Sequence, residues 1–556
     1  MMNRKRSLLF ALLLIVTLVG GGTQLISNAD TGAVPDGSAP GFYLVGSKNL
    51  NPAQFHHAGD MQFFWWRTLN PAQGAFNWDS VDNYLSQHAI NGKKVGIAIT
   101  TYEGRRGAGI NATPPFVRDN PAVNYDGVTT NQVYNSDFER GQQGWTLSGP
   151  ATVVTSPVHG GAQALKLGGT LHSTAQAYQL NVRLPESLRS GQISLWWRVE
   201  SSEPAGSAND SLRIELLENG AVFKTVQVVN SSASRNEWLN TTVDLSADPG
   251  HSAELRFTAN NDGSAPTSFF IDDISLTVTP ILLKFWASQY LQPYQAFVAA
   301  LGQKYGNDAR VEFIAIGTGL YGETQASDNE DNNATAAAGL TSNLWIQTVN
   351  TITDFYISGF TDGGQLRKSL ILQAAPYQFV PRERREFSTY AAQRGVGISY
   401  NGLYPDTNVA LRCGYGNPDF DCAGAYDQMV EFNDQVPIGF EAYAYMLPTP
   451  RDFYWGLLNA MDKKTDYIRM SSYQGWYLGP NDTPNTEWTD LMLWANRWLG
   501  KDLLDTPSVW VAMREHRNPI EYGSTGVIET RSDWPQLGNY QFWLYQRDDI
   551  AGGRTV

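Results

Sequence analysis

The chain has 556 residues, more than one hydrophobic core usually holds, so we expect two or three domains. Its formal net charge is -14 at pH 7, which argues against a nucleic-acid partner, because such a partner needs a basic face. Hydrophobic residues make up 42% of the chain and charged residues only 17%, with 17 Trp, 26 Tyr and 24 Phe. This composition is typical of a globular protein, and exposed aromatic rings would suit flat, weakly polar ligands such as sugars.

The N-terminus has the order of a secretory signal peptide. A basic segment, Asn3–Arg6, precedes an apolar run that ends at Gly22, and Ser27-Asn28-Ala29 offers a small-x-small cleavage site. We therefore expect residues 1–29 to be removed and the mature protein to be secreted, either extracellular or at the cell surface. An uncleaved membrane anchor is the alternative, because the apolar run is near the lower length limit for spanning.

Cysteine occurs only twice, at Cys413 and Cys422. Outside the cytoplasm a close pair of this kind usually closes a small disulfide loop, and we expect one here. The alternative is a metal or redox pair, which the absence of a CxxC spacing and of a neighbouring histidine disfavours.

After a Gly/Pro-containing leader, the first folded segment alternates strands with a helix. Apolar runs predict strands over Gly41–Val45, Gln62–Arg67 and Lys94–Thr100, and helical spacing of apolar residues predicts a helix over Asp79–Asn91. Strand, helix and strand in this order indicate a parallel βαβ unit.

Residues 129–279 have a different pattern. Short alternating runs such as ISLWWRV, LRIELLE and AELRFTA recur between turn residues, and no convincing amphipathic helix interrupts them. This spacing predicts an inserted β-sandwich.

The alternation of helices and strands resumes after Pro280, with a helix over Tyr290–Tyr305. Five more strands bring the total to eight: Val311–Ile316, Leu370–Ala374, Gly395–Tyr400, Pro437–Ala442 and Asp466–Ser471. The predicted fold class is therefore α/β, a (β/α)8 TIM barrel formed by residues 30–128 and 280–500 and interrupted by an all-β jelly-roll sandwich. Residues 501–556 are expected to form a short C-terminal β-rich extension, either complete or truncated.

In such a barrel, functional groups lie at the C-terminal ends of the strands. Glu323 follows the fourth strand and Glu441 ends the seventh. The other strand ends contribute mostly aromatic rings, and the candidates for substrate contact are Trp66, Arg67, Tyr102, Glu103, Tyr321, Tyr377, Tyr404, Tyr443, Tyr473 and Trp476. The chain has no G-x-S-x-G elbow, phosphate loop or histidine cluster, which argues against serine esterases, nucleotide chemistry and metal-dependent hydrolysis.

Two carboxyl groups among aromatic residues are the apparatus of glycoside hydrolysis. Burial near Tyr321 would raise the pKa of Glu323 and suit it as the acid, while Arg67 would keep Glu441 ionised as the nucleophile. The alternatives are that Glu323 is a solvated loop residue and that Glu441 is half of a structural ion pair with Arg67.

The segment FFWWRTLNPAQGAFNWDSVDNYL resembles the second βα unit of glycoside hydrolase clan A barrels, especially the β-galactosidase-like branch. That resemblance implies an acid/base after the fourth strand and a nucleophile on the seventh, the positions of Glu323 and Glu441. It also implies an arginine on the second strand and a tryptophan closing the eighth, which Arg67 and Trp476 match. One departure is Gly322, since most members of the clan have Asn immediately before the acid.

The insert resembles the jelly-roll carbohydrate-binding modules of secreted polysaccharide enzymes, through NSDFERGQQGW near its start and FFIDDISL at its end. The resemblance implies a polysaccharide or oligosaccharide ligand and a structural calcium ion held by Glu139 and Asp273. No cofactor is expected for catalysis.

The leading hypothesis is a secreted glycoside hydrolase that cleaves O-glycosyl bonds of a polysaccharide or oligosaccharide, as a retaining β-glycosidase. The alternative is a secreted or cell-surface protein that binds glycan without cleaving it.

Overall fold

The structure is a computed structural model that describes residues 39–46, 48–233, 235–374, 377–404, 427–471, 475–501, 510–516, 540–546 and 554–555. The predicted signal peptide, the predicted disulfide Cys413–Cys422 and the candidate contact Tyr473 lie outside these residues.

Eight parallel strands close into a barrel and follow one another around it in chain order. They are β1 (Gly41–Val45), β2 (Gly59–Trp65), β3 (Lys94–Thr100), β4 (Val311–Ile316), β5 (Ser369–Gln373), β6 (Gly397–Tyr400), β7 (Ile438–Ala442) and β8 (Tyr467–Ser471). β1 pairs with β2 on one side and with β8 on the other, which closes the sheet. Every residue of β4 is buried, as expected for a strand covered on both faces.

The lower interior of the barrel is filled by apolar side chains. Met61, Ala98, Ile371 and others pack around Phe313, whose ring lies 5.0 Å from that of Tyr43 and 4.9 Å from that of Tyr467 between centroids. Because successive side chains alternate across a strand, the residues two positions further along β2, β5 and β8 point to the same interior, nearer the C-terminal rim.

The helices differ widely in length, and the longer ones bury an apolar face against the barrel. Their bounds are Pro52–Phe55, Trp66–Leu69, Asp79–His88, Pro115–Arg118, Ser288–Tyr305, Asn332–Ala337, Ser342–Phe360, Arg382–Ala392, Asp427–Phe432, Pro450–Asp462 and Thr486–Ala495. Single 3₁₀ turns occur at Gly109–Ala112, Asn329–Asp331 and Pro480–Asp482.

The predicted fold class, a (β/α)8 TIM barrel interrupted by a jelly-roll sandwich, is corrected by this arrangement. Eight strands were predicted, but the second ends at Trp65, and Trp66 and Arg67 lie in a short helix instead of on the strand. A regular helix also does not follow each strand: the connection from β1 to β2 holds only the four-residue helix Pro52–Phe55. From β3 the chain passes through antiparallel sheets before the helix Ser288–Tyr305. Strands make up 35% of the structure and helices 26%. The architecture is an all-parallel eight-stranded closed barrel combined with antiparallel sheets.

Two antiparallel sheets face each other in the inserted region and enclose an apolar core. One sheet has the order Trp238–Asp244, Leu188–Ser201, Thr267–Leu283, Ala164–Gly168, Ala151–Val154, and the short strands Asn124–Asp126 and Thr130–Asn131 also pair with Thr267–Leu283. The other has the order Ala221–Asn230, Ser211–Glu218, His251–Asn261, Ser173–Leu184, Thr146–Ser148. Trp197 faces the core, whereas its neighbour Trp196 faces outward, where the ring of His159 stacks on it at 4.0 Å.

Two smaller antiparallel sheets complete the described strands: a pair, Thr361–Asp362 and Gln365–Leu366, and a three-stranded sheet of Trp510–His516, Tyr540–Gln546 and Arg554–Thr555. In the part of the chain that the structure describes, no helix has the length and apolar character needed to cross a bilayer.

A buried ionic cluster fixes the opposite end of the barrel, where β2 begins. Asp60 is fully buried and accepts hydrogen bonds from Lys93 and, at 2.8 Å, from His88, with His57 3.4 Å away. Burial raises the pKa of Asp60, but the hydrogen bonds from His57, Lys93 and His88 outweigh it and leave that pKa lowered. Lys93 also donates to Asn49 at 2.8 Å, so the cluster ties the β1–β2 connection to β2.

We expect Lys93→Met to lower the free energy of unfolding by about 3–5 kcal/mol, because it leaves the buried Asp60 carboxylate without its cation. Urea denaturation measures the change. The matched control is Lys48→Met, which removes an ion pair to Asp482 whose partners are about 40% exposed, and which should cost less than about 1 kcal/mol. Equal losses in the two variants would contradict a special role for the buried cluster.

Candidate active site at the barrel mouth

Glu323 and Glu441 both lie at the rim where the parallel strands end. Glu441 is the next-to-last residue of β7, and Glu323 follows β4 after a tight turn. The ionised form of Glu441 raises the pKa of Glu323 through space, so the two carboxyl groups lie close enough to interact. The structure thus brings together the two residues that the sequence predicted as a pair.

The turn before Glu323 is held by many hydrogen bonds. Thr318 donates to the Glu323 carbonyl at 2.6 Å, the Glu323 N–H donates to the Leu320 carbonyl at 2.8 Å, and the Tyr321 N–H donates to the Tyr102 carbonyl at 2.8 Å. Tyr321 has φ +54 and Gly322 has φ +86, so two successive residues adopt left-handed backbone. Such strain persists only where the surroundings over-determine it.

Gly322 occupies a position that has no room for a side chain. A Cβ atom there would lie 2.9 Å from the Ile99 carbonyl oxygen and 3.3 Å from Nε2 of Gln373. Together with its φ of +86, this close approach explains why glycine precedes Glu323.

The electrostatics of the site make Glu323 an acid at neutral pH. Burial and the nearby ionised Glu441 raise its pKa to about 8, against the smaller opposing effects of a hydrogen bond with Asn401 and of the positive charge of Arg469. A carboxyl group with that pKa is mostly protonated at pH 7 and can donate a proton.

Glu441 is 4% exposed and is paired with Arg469 of the adjacent strand β8. Nη2 of Arg469 lies 3.1 Å from Oε2 of Glu441, and Nη1 donates to Oε1 of Gln373 at 2.5 Å. The Tyr443 hydroxyl also hydrogen-bonds Glu441; burial first, and then the Glu441 charge, hold the pKa of Tyr443 well above its usual range. The two carboxyl groups therefore have different surroundings, since the cation lies against Glu441.

The predicted partner of Glu441, Arg67, is not its partner. The guanidinium of Arg67 lies 5.0 Å above the ring of Trp65, and Arg469 takes the place beside Glu441. The signal for Arg469 was in the sequence: it is the only charged residue in the apolar run YIRMS, where an unpaired charge would be costly.

Three of the predicted substrate contacts lie in the core instead. Trp66 is 0% exposed and packs against Tyr290 and Tyr294, Tyr102 is 0% exposed, and Trp476 is 2% exposed and packs against other aromatic rings. Their rings offer no face to a ligand, so these assignments are corrected. The prediction named Trp66 and not its neighbour Trp65. Trp65 shares the interior face of β2 with Met61, and its indole is half-buried at the barrel mouth.

The remaining candidates are at least partly exposed. Glu103 and Tyr321 lie at the rim beside Trp65 and Glu323, and Tyr443 lies beside Glu441. Tyr377 is half-buried with the Arg384 guanidinium 4.9 Å from its ring, and Tyr404 is half-buried against the apolar cluster behind β6 and β7. Asn401 and Gln373, which contact Glu323 and Arg469, were not predicted as site residues.

The two predicted calcium ligands meet at one turn of the sandwich. Glu139 accepts from the N–H groups of Ala162 and Gln163 at 2.6 and 2.9 Å, and Asp273 contacts Nδ1 of His159 at 2.6 Å. Among the described residues, three other acidic side chains bring their oxygen atoms within 4.8 Å of one another: Glu203, Asp210 and Asp262. The calcium ion at Glu139 and Asp273 stays a prediction.

Comparison with known proteins gives only partial likenesses. No family model matches the chain, and no curated protein matches it. Solved structures similar to part of it include TmCBM61 in complex with β-1,4-galactotriose, at 18% identity over 28% of this chain and 99% of that one, with a TM-score of 0.21. Two others are the CBM22-1 xylan-binding domain from Paenibacillus barcinonensis Xyn10C, at 17% identity over 27% and 92% with a TM-score of 0.18, and the non-crystalline cellulose specific module CBM28, at 14% identity over 27% and 96% with a TM-score of 0.20. The resemblance of the barrel to glycoside hydrolase clan A stays a prediction.

We expect the raised pKa of Glu323 to make stability depend on pH. The pKa is about 8 in the folded protein and near the ordinary glutamate value of 4.5 when unfolded, so the stability linked to this group is complete below about pH 4.5 and is lost as the pH rises through 8. Urea unfolding of wild type and Glu323→Gln between pH 5 and pH 8 should therefore show the variant losing less stability than wild type.

The matched control is Glu330→Gln, a rim carboxylate whose side chain is 42% exposed, which should follow the wild-type pH dependence. Parallel curves for wild type and Glu323→Gln would show that Glu323 titrates normally.

Proposed function

We propose that this protein hydrolyses glycosidic bonds of a polysaccharide or oligosaccharide, with Glu323 as the acid and Glu441 as its carboxylate partner. The observation that supports the proposal most is the asymmetry of the pair. Glu323 keeps its proton up to about pH 8, while Glu441, next to it, faces a buried arginine at 3.1 Å. Glycosidases need such a difference, because one group must give a proton while the other carries negative charge.

In the proposed reaction Glu323 protonates the glycosidic oxygen as the bond from that oxygen to the anomeric carbon breaks. The resemblance to clan A favours retention, in which Glu441 forms a bond to the anomeric carbon and water then displaces it. Glu323, now a carboxylate, takes a proton from that water and regains its starting state. The sum is the addition of one water molecule across the glycosidic bond.

Glycan binding without cleavage is the second candidate function. It is favoured by the resemblance of NSDFERGQQGW and FFIDDISL to carbohydrate-binding modules, and it does not need the carboxyl pair. The ligands named for the similar solved structures are β-1,4-galactotriose, xylan and non-crystalline cellulose, so the first probes are β-1,4-galactan, xylan and non-crystalline cellulose.

Hydrolysis of these polysaccharides by wild type, Glu323→Gln and Glu441→Gln tests the proposal. We expect each substitution to lower kcat by about 10²–10⁴-fold, the usual contribution of a positioned acid or base. Reducing-sugar release and mass spectrometry of the products measure it, and the anomer formed first, read by NMR, reports retention or inversion. Full activity in both variants, or binding of a glycan with no product from wild type, would contradict hydrolysis by this pair.

Two measurements distinguish the role of Glu323 from that of Glu441: the dependence of the rate on the leaving group and its dependence on pH. An aryl glycoside with an acidic phenol needs little protonation, so Glu323→Gln should retain much more activity on it than on a polysaccharide, whereas Glu441→Gln should lose activity on both. The wild-type rate should fall as the pH rises through about 8, because Glu323 then loses the proton that it must donate. A rate that stays constant to pH 10 would exclude Glu323 as the acid.

A further inference from the structure

A second group of polar and aromatic side chains lies on the rim beside the carboxyl pair. It consists of Trp65, Arg67, Glu103 and Tyr321, which we call the β2–β4 rim. Trp65 ends β2, and the loops after the adjacent strands β3 and β4 supply Glu103 and Tyr321. An isolated bridge from Tyr102 to Leu320 joins these two loops directly before Glu103 and Tyr321.

Trp65 points into the barrel mouth. Met61 belongs to the cluster that fills the barrel interior, and Phe63 packs against that cluster. Residues alternate across a strand, so Trp65 follows them on the same face, one layer nearer the rim. Its indole N–H donates a hydrogen bond to Oε1 of Glu103, and the ring remains half-buried.

Arg67 and Glu103 flank this indole without pairing with each other. The Arg67 guanidinium lies 5.0 Å from the ring centroid, and Arg67 makes no hydrogen bond or ion pair to any residue within the described ranges. Glu103 accepts from Trp65 and from the Ala108 N–H, which leaves acceptor positions on a half-buried carboxyl group whose pKa is raised by burial. Because Arg67 and Glu103 lie beside the same ring without forming an ion pair, both keep hydrogen-bonding positions that a bound ligand could use.

Tyr321 connects the rim to the carboxyl pair. It is 42% exposed, precedes Gly322 and Glu323 in the left-handed turn, and lies within electrostatic reach of both Glu103 and Glu323. The left-handed turn thus places Tyr321 between the two carboxyl groups, with its ring exposed at the rim.

We propose that the β2–β4 rim is a sugar-binding subsite one ring beyond the two sugars that flank the cleaved bond, and that it takes a neutral pyranose ring of an oligosaccharide. The apolar face of the sugar would contact the indole of Trp65, one hydroxyl would accept from Arg67 and another would donate to Glu103. A neutral ring fits because the rim carries one cation, Arg67, and one acid, Glu103, whose charges offset each other. The assignment rests on the proposed function, which it deepens by adding a subsite beyond the two sugars that flank the cleaved bond.

The kinetic test compares oligosaccharides of increasing length. In the β-1,4-linked galactose, xylose and glucose series, from disaccharide to pentasaccharide, Arg67→Met and Glu103→Gln should raise KM about 5- to 10-fold for those substrates long enough to reach the subsite and leave the shortest hydrolysed substrate unchanged. The matched control is Arg310→Met, an arginine paired with Asp308 at the opposite end of the barrel, which should alter no KM. Equal KM values for wild type and both rim variants at every length would overturn the subsite while leaving the hydrolysis by Glu323 and Glu441 intact.

A spectroscopic test does not require turnover. In ¹⁵N-tryptophan-labelled protein, the indole signal of Trp65, identified by its loss in Trp65→Phe, should shift on titration with β-1,4-galactotriose, xylotriose or cellotriose. A shift without any hydrolysis would support the subsite and contradict the proposed function. A Trp65 signal that none of the three sugars moves would overturn the subsite, whatever the activity.

Discussion

The ion pair between Glu441 and Arg469 is the interaction on which the arrangement of the barrel mouth depends. Both residues are almost fully buried, at 4% and 3% exposure, and they face each other across the paired strands β7 and β8. Taking two charges out of water is expensive unless the geometry is good and the remaining donors are satisfied. Arg469 meets this condition partly through Gln373 and Ser399, so β5 and β6 also contribute to holding one carboxylate.

This pair divides the barrel interior into two layers. Below it, rings such as Phe313 and Tyr467 fill the space, and the Tyr467 hydroxyl donates to the buried Glu312 carboxylate at 2.9 Å. Above it, the same interior faces of β5, β6, β7 and β8 present Gln373, Ser399, Glu441 and Arg469. The apolar layer gives the charged layer a rigid base and a low dielectric, which strengthens electrostatic effects among the groups above it. Glu323 forms no ion pair with any residue that the structure describes, so burial and the repulsion from Glu441 outweigh the positive charge of Arg469 and raise its pKa.

The sequence allowed the eight barrel strands and their order to be predicted, because each is an apolar run with a polar end, as in VEFIAI before the turn to Glu323. It also allowed Glu323 and Glu441 to be paired, since parallel strands end at one rim. The prediction of a regular ring of helices was wrong. The sequence gives the number of residues between two strands, but not how many of them form a helix once the connection packs against the barrel. Trp66 was predicted at the site instead of Trp65. Alternation along a strand shows that neighbouring side chains point in opposite directions, but not which of the two points into the barrel. Arg469 was missed because its partner is remote in sequence, although a charge within YIRMS was a sign that one existed.

Gly322 shows why the turn before Glu323 requires a glycine. The turn lies so close to β3 that a Cβ atom at position 322 would be 2.9 Å from the Ile99 carbonyl oxygen, and Tyr321 and Gly322 are both left-handed. A side chain at position 322 would collide with that carbonyl or displace the turn, and the acid would then move away from Glu441. Asn401, which follows β6 and already hydrogen-bonds Glu323, provides an amide beside the acid without requiring space in the turn.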